Sequence, residues 1–219
     1  RTLSGVYSEL RQRPILEPVV FIPGLLGSTL EDPKGNIAWG RGGRKNLEEL
    51  TLPITAERIE DNRDEFNATT SLARYALIPH ILEIELYSKL KKAAVDVAGY
   101  ENDKTLYALS YDWRRDLVEG ARRLADLIDR IKLEHGDPNL KVNLICHSSG
   151  GLIARYYAKY GREDVLSQNP MPEPTYAGAA NLNKVIMLGT PNLGSIESFQ
   201  NLHLGLSLPT VGRFSAEMM

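Results

Sequence analysis

The sequence predicts an α/β fold, a mostly parallel central sheet with helices on both faces. Two patterns that alternate along the chain carry this reading. Four short runs rich in branched apolar residues read as buried strands: Val19 to Ile22, Leu106 to Ser110, Val142 to Cys146 and Val185 to Leu188. Between them, apolar residues recur at spacings of three and four, the mark of one helical face. Right-handed crossovers turn such an alternation into a parallel sheet covered on both sides. A length of 219 residues with 42% hydrophobic content is enough to bury a core of one domain, so residues 1–219 are taken together.

Taken in order, the first strand is followed by a stretch that breaks the rhythm. Residues 28–79 carry Pro33, Gly35, Gly40, Gly42, Gly43 and Pro53 among many charges, without a sustained period, and read as a long excursion. The first helical pattern runs through Leu82, Leu86, Leu90, Ala93 and Val97, with Gly99 as its stop. After the second strand, Leu117, Ala121, Leu124, Ile128 and Ile131 mark a helix that ends at Gly136-Asp137-Pro138. A third helix is expected from Gly150 to Tyr160, closed by Gly161, and a fourth from near Ser195. Residues 167–181, with Pro170, Pro172 and Pro174, read as a loop before the last strand.

Composition narrows the function. Lys and Arg total 26 against 28 Asp and Glu, a net charge of −2, which offers no general positive field for nucleic acid. Cys146 is the only cysteine, so no internal disulfide forms and the compartment stays open. No apolar run is long enough to span a bilayer, and Arg1-Thr2-Leu3-Ser4 lacks the layout of a signal peptide, though a leader could have been removed.

The most informative segment is Lys141-Val142-Asn143-Leu144-Ile145-Cys146-His147-Ser148-Ser149-Gly150-Gly151, where a strand runs into small residues and then a helix. This is the setting of a nucleophile elbow, in which a strained turn lifts a serine hydroxyl above the sheet and its neighbours two before and two after must be small. Gly150 meets the second condition, and Cys146 stands at the first in place of glycine. Ser148 is therefore the candidate nucleophile, the alternative being a helix cap. Adjacent side chains diverge at such a turn, so His147 reads as a packing or polar neighbour and not the base.

A serine ester intermediate needs two N–H donors for its oxyanion, one from the residue after the nucleophile and one from a turn after an earlier strand. Ser149 supplies the first. Pro18-Val19-Val20-Phe21-Ile22-Pro23-Gly24-Leu25-Leu26-Gly27-Ser28 puts a strand end and a glycine turn where the second belongs, and Leu25 is the candidate.

Taken together, Phe21-Ile22-Pro23-Gly24-Leu25-Leu26-Gly27-Ser28, Tyr111-Asp112-Trp113-Arg114, Cys146-His147-Ser148-Ser149-Gly150-Gly151 and Gly189-Thr190-Pro191-Asn192-Leu193-Gly194-Ser195 resemble the lecithin:cholesterol acyltransferase family. The resemblance implies an α/β-hydrolase fold and transfer of a fatty acyl group from phospholipid to serine, then to a sterol, another alcohol or water. It also implies that Leu25 and Ser149 form the oxyanion hole around Ser148, and that the excursion at 28–79 contributes a lid and membrane-binding surface. Ser149 stands where methionine is common in such enzymes. Tyr111 to Arg114 reads as either a structural Asp–Arg pair beside a packed Trp or a substrate contact, without Asp112 as the triad acid. Gly189 to Ser195 lacks the Lys of a phosphate loop and reads as a loop beside the site. Arg41-Gly42-Gly43-Arg44-Lys45, near Trp39, reads as a solvated loop, with lipid head groups as the alternative.

The order expected of the triad is Ser, acid, His. His203 is the sole histidine after Ser148 and falls in a predicted helix, so a triad with Glu173 or Glu197 is the weaker option. The acid and the histidine are instead expected beyond residue 219, the sheet being truncated before its last strands. The expected chemistry is serine-dependent acyl transfer on a lipid or ester substrate, with possible lipid-surface contact and with no metal or organic cofactor. The alternative is a non-catalytic lipid-binding or interaction protein on the same scaffold.

Overall fold

The computed structural model describes residues 17–40, 50–52, 63–69, 87, 89–165, 168–208 and 212–214. In chain order the strands are β1 (Val19–Ile22), β2 (Thr29–Glu31), β3 (Ile37–Trp39), β4 (Asn67–Thr69), β5 (Leu106–Ala108), β6 (Val142–His147), β7 (Leu182–Leu188), β8 (Leu206–Leu208) and β9 (Gly212–Phe214). The α-helices are α1 (Leu117–His135), α2 (Gly150–Tyr160) and α3 (Ile196–Leu204). Four strands form the central sheet in the spatial order β5–β1–β6–β7, every pairing parallel.

Strand periodicity divides the core in two. Val20 and Ile22 of β1 and Val142, Leu144 and Cys146 of β6 face α1 and α2, where Ala121, Leu124, Ile128, Ile131, Ile153 and Ala154 close over them. Each large aliphatic side chain so buried contributes roughly 1.5–3 kcal/mol. Val19 and Phe21 point the other way, onto Tyr87, Leu90, Ala94 and Val95. Helices therefore cover both faces, as the sequence predicts. Asp116 starts α1 by accepting a hydrogen bond from the Val118 N–H at 2.8 Å, and Gly136, at φ 66°, ends it.

The strand order decides where a ligand can sit. From β1 the chain crosses to β5 on one side, then returns past β1 to β6 on the other, so the crossovers diverge between β1 and β6. In open parallel sheets the crevice at the carboxyl ends of two such strands is the binding position. The Pro23–Gly27 turn and the Ser148 turn leave the sheet there.

Four features depart from the sequence expectations. Inside the 28–79 excursion, β2, β3 and β4 form an antiparallel sheet in the order β3–β2–β4, too short to leave a period in the sequence. β7 is apolar, as predicted, but not buried: Val185 is 37% and Ile186 49% exposed, because among the described residues only β6 flanks it. The first predicted helix is described at Tyr87 and from Lys89, and ends in a π-helical turn, Ala93–Val97, before Gly99; Leu82 and Leu86 lie outside the described residues. β8 and β9 add an unpredicted hairpin.

Arg114 fastens the excursion to the body. Its Nε and NH2 groups donate to Asp112 Oδ1 and Oδ2 at 2.9 and 2.6 Å. NH1 and NH2 donate to Asp64 Oδ2 and Oδ1 at 2.6 and 3.0 Å, and NH1 also reaches the Leu50 carbonyl at 3.1 Å. The guanidinium lies over the Phe66 ring. With the Arg114 and Asp112 side chains each 5% exposed, removing the cation strands buried carboxylate charge. Arg114→Ala is expected to lower stability by about 3–5 kcal/mol in urea denaturation. Arg114→Lys should recover part of that loss, because lysine keeps the charge but not the planar fork.

Candidate functional site

Ser148 sits one residue past β6 with φ 50°, a left-handed conformation that costs a non-glycine residue of order 1–3 kcal/mol. The surroundings enforce it. Its N–H donates to the Leu188 carbonyl at 2.9 Å, and its own carbonyl accepts from the Gly151 N–H at 3.1 Å. The side chain is half-buried, and Oγ makes no hydrogen bond among the described residues. The cap of α2 is Ser149, without a side-chain capping bond, so Ser148 is not the helix cap.

Two glycines let the turns after β1 and β6 touch. A Cβ on Gly150 would lie 2.6 Å from the carbonyl oxygens of both Ile22 and Pro23. A Cβ on Gly24 would lie 2.8 Å from Ser148 Cβ and 3.0 Å from His147 Nδ1. The requirement for a small residue at 150 is thus met against backbone, which cannot swing aside. Cys146, at the other small position, is fully buried among α1 and α2 residues, and burial pushes its thiol up to about 12.

The β1 turn closes through a hydrogen bond from the Gly27 N–H to the Gly24 carbonyl at 3.0 Å. Leu26 has φ 65° and Leu25 does not have positive φ, the combination of a type II turn. Leu25 is 42% exposed, and among the described residues neither its N–H nor that of Ser149 donates a hydrogen bond. The turn bearing Leu25 therefore lies, through Gly24, against the turn bearing Ser148 and Ser149, at the crevice between β1 and β6, with one hydroxyl and two N–H donors unengaged among the described residues.

Around this crevice the remaining candidates sort by their contacts. His147 points to the opposite face of the sheet from Cys146, with Nδ1 2.8 Å from the Tyr87 hydroxyl. Desolvation holds its imidazole below the usual value. Asp112 is engaged by Arg114 and belongs to the structural pair of the sequence reading. The exposed Glu173, Glu197 and His203 make no hydrogen bond to one another or to Ser148. Trp39 is buried, donates from Nε1 to the Leu26 carbonyl at 2.9 Å and stacks edge-on against Trp113; Arg41 to Lys45 lie outside the described residues. The 189–195 loop lies on the flank of α2, where Arg155 NH1 donates to Asn192 Oδ1 at 2.7 Å. Among the described residues no His, Cys, Asp or Glu group could hold a metal ion, and no helix is long and apolar enough to cross a membrane.

Sequence reasoning missed the hydroxyls of Tyr87 and Tyr111. Tyr87 accepts the Gly24 N–H at 3.0 Å; Tyr111 donates to the Pro23 carbonyl at 2.9 Å and lies 3.1 Å from Ser149 Oγ. No sequence signal marks which backbone group a phenol oxygen meets 63 or 88 residues away.

Two outcomes test this geometry. Iodoacetamide at pH 8 should leave Cys146 intact in the folded chain and alkylate it in denaturant, read by mass spectrometry. Gly150→Ala should cost about 1–3 kcal/mol by forcing β1 from α2, measured by chemical denaturation.

Comparisons with known proteins agree with this architecture. The sequence pattern of the lecithin:cholesterol acyltransferase family matches residues 64–212. Among solved structures, a chain of the Tle4–Tli4 complex is similar at 15% identity and a TM-score of 0.51, covering 92% of this chain and 51% of that one. A mature lipase of Bacillus licheniformis, BlEst2, is similar at 16% identity and a TM-score of 0.40, covering 86% of this chain and 46% of the lipase. This chain thus spans about half the length of the solved chains it matches. The comparison with curated proteins found no match. The likeness to the Tle4–Tli4 chain is one of fold, an α/β-hydrolase fold, and it agrees with the parallel sheet and its elbow. Since the family match extends over well more than half of the sequence, from the return of the excursion past the 189–195 loop, the chain belongs to the lecithin:cholesterol acyltransferase family.

Proposed function

We infer that the chain carries the nucleophile and oxyanion hole of a lipid-ester acyl-transfer enzyme. The observation that carries this is Ser148 at φ 50°, against the Gly24 turn, with its Oγ and the N–H groups of Leu25 and Ser149 all unengaged among the described residues. Family membership supports the substrate class, a lipid ester.

The chemistry runs in two halves. Ser148 Oγ gives its proton to a base and bonds to the ester carbonyl carbon, whose oxygen becomes an oxyanion held by the two N–H groups. The carbonyl reforms, the C–O bond to the lipid alcohol breaks, and the alcohol leaves with the proton from the base. A second hydroxyl, from an alcohol or from water, then attacks the acyl-Ser148 ester by the same route and regenerates the serine. No metal or organic cofactor enters either half. This reading requires a base and an acid partner from outside the described residues. Residues 1–219 act as one domain in this reading, and the 28–79 excursion meets the lipid surface.

A non-catalytic lipid-binding protein on the same scaffold is the second reading, favoured by the absence, among the described residues, of a histidine or carboxylate bonded to Ser148. Labelling separates the two. A fluorophosphonate should form an adduct on Ser148 of the full-length protein, found by mass spectrometry, and Ser148→Ala should abolish it; an unlabelled, folded full-length protein leaves the scaffold reading. Leu25→Pro offers a second check, since proline suits the second position of a type II turn while removing the N–H. It should lower kcat on a p-nitrophenyl ester by roughly 10²–10³-fold with the fold retained.

A further inference from the structure

The peptide unit between Pro23 and Gly24 is held at both ends by phenols from opposite faces of the sheet. Its carbonyl accepts the Tyr111 proton at 2.9 Å, and its N–H donates to the Tyr87 oxygen at 3.0 Å. Tyr87 belongs to the core layer with Val19, Phe21 and Leu106, and Tyr111 to the layer under α1 and α2. The rings are 4% and 2% exposed, so neither hydroxyl exchanges its partner for bulk water at low cost. The next peptide, Gly24–Leu25, has its carbonyl tied to the Gly27 N–H at 3.0 Å, which aims the Leu25 N–H away from the turn interior. Two successive peptide planes are therefore fixed. A plane bonded at its carbonyl and its N–H cannot rotate without breaking both bonds inside the core.

We propose that Tyr87 and Tyr111 are positioning residues that clamp the Pro23–Gly24 peptide and thereby hold the Leu25 N–H in the oxyanion-binding orientation before substrate arrives. The proposal rests on the acyl-serine reading above and extends it to two residues that need not touch substrate. The same phenols register the second half of the crevice. Tyr111, having given its one proton to Pro23, accepts from the Ser149 hydroxyl at 3.1 Å. Tyr87 lies 2.8 Å from His147 Nδ1, on the residue before the nucleophile. The two turns that must meet around an oxyanion are thus joined through one phenol on each side of the sheet. Ser149 gains a role that a methionine at that position cannot fill, since a thioether has no proton to donate.

Pre-set donors lower the barrier because no reorganisation is needed as charge develops. Loss of either hydroxyl is accordingly expected to act on the chemical step. Tyr87→Phe and Tyr111→Phe keep the ring and remove its hold on the Pro23–Gly24 peptide, together with the second contact of each hydroxyl, to His147 Nδ1 and to Ser149 Oγ. In the full chain, each should slow fluorophosphonate labelling of Ser148 and lower kcat on a p-nitrophenyl ester by about 10- to 100-fold, with KM changed less than about twofold. The readout that a merely structural role would not give comes from the Leu25→Pro background. With the Leu25 N–H already gone, neither phenylalanine substitution should slow labelling further.

Wild-type labelling rates in folded phenylalanine variants would overturn the clamp while leaving Ser148 as nucleophile. So would an equal additional loss in the Leu25→Pro background. If Tyr111→Phe does not fold, Tyr87→Phe alone decides by the same two criteria. Absence of any Ser148 labelling in the wild-type chain overturns the acyl-serine reading and the clamp with it.

Discussion

The close approach of two backbones governs this molecule: the carbonyls of Ile22 and Pro23 at the end of β1 press against Gly150 at the start of α2. Side-chain contacts can adjust by changing rotamer, but backbone against backbone cannot, so this contact fixes the distance between the strand ends. The parallel pairing of β1 with β6 sets the height of the two turns, and α2 then has a single way to leave the sheet. Ser148 is forced to positive φ as the joint between strand and helix, and Gly24 comes to rest against its Cβ. The crevice is a result of sheet geometry before it is a result of any functional side chain.

What the core adds is rigidity from both sides. α1 and α2 close one face of the sheet and the helical segment bearing Tyr87 closes the other. Each face contributes one phenol to the same peptide, so the packing of either layer is transmitted to the turn that carries Leu25.

Much of the scaffold was legible in the sequence because it rests on periodicity and on punctuation by small residues. Val19 to Ile22 and Val142 to Cys146 read as strands through unbroken branched apolar runs, and Leu117 to Ile131 as a helix through its spacing with Gly136 at the end. Ser148 and Gly150 stood out because strand, turn and helix follow one another within a few residues. The three-residue strands β2 to β4 were not legible, since three residues are too few to establish a period and their pairing joins Leu30 to Ala68 across a long excursion. The exposure of β7 was hidden for a related reason: Val185 and Ile186 have the composition of a buried strand, and composition cannot say how many neighbours a strand has. Tyr87 carried no sequence signal and Tyr111 stood only within the Tyr111–Arg114 motif; their burial and the partners of their hydroxyls follow from tertiary geometry.

The Arg114 network bears on how this scaffold could change over generations of sequence. A single guanidinium nitrogen holds both the Leu50 carbonyl and an Asp64 carboxylate oxygen, so positions 50 and 64 meet at one fixed point on the body. The stretch between them begins and ends at a closed gate, and its closure entropy grows only with the logarithm of its length. Positions 50 and 64 thus share one anchor, and a sequence change that loses the guanidinium releases both from the body together.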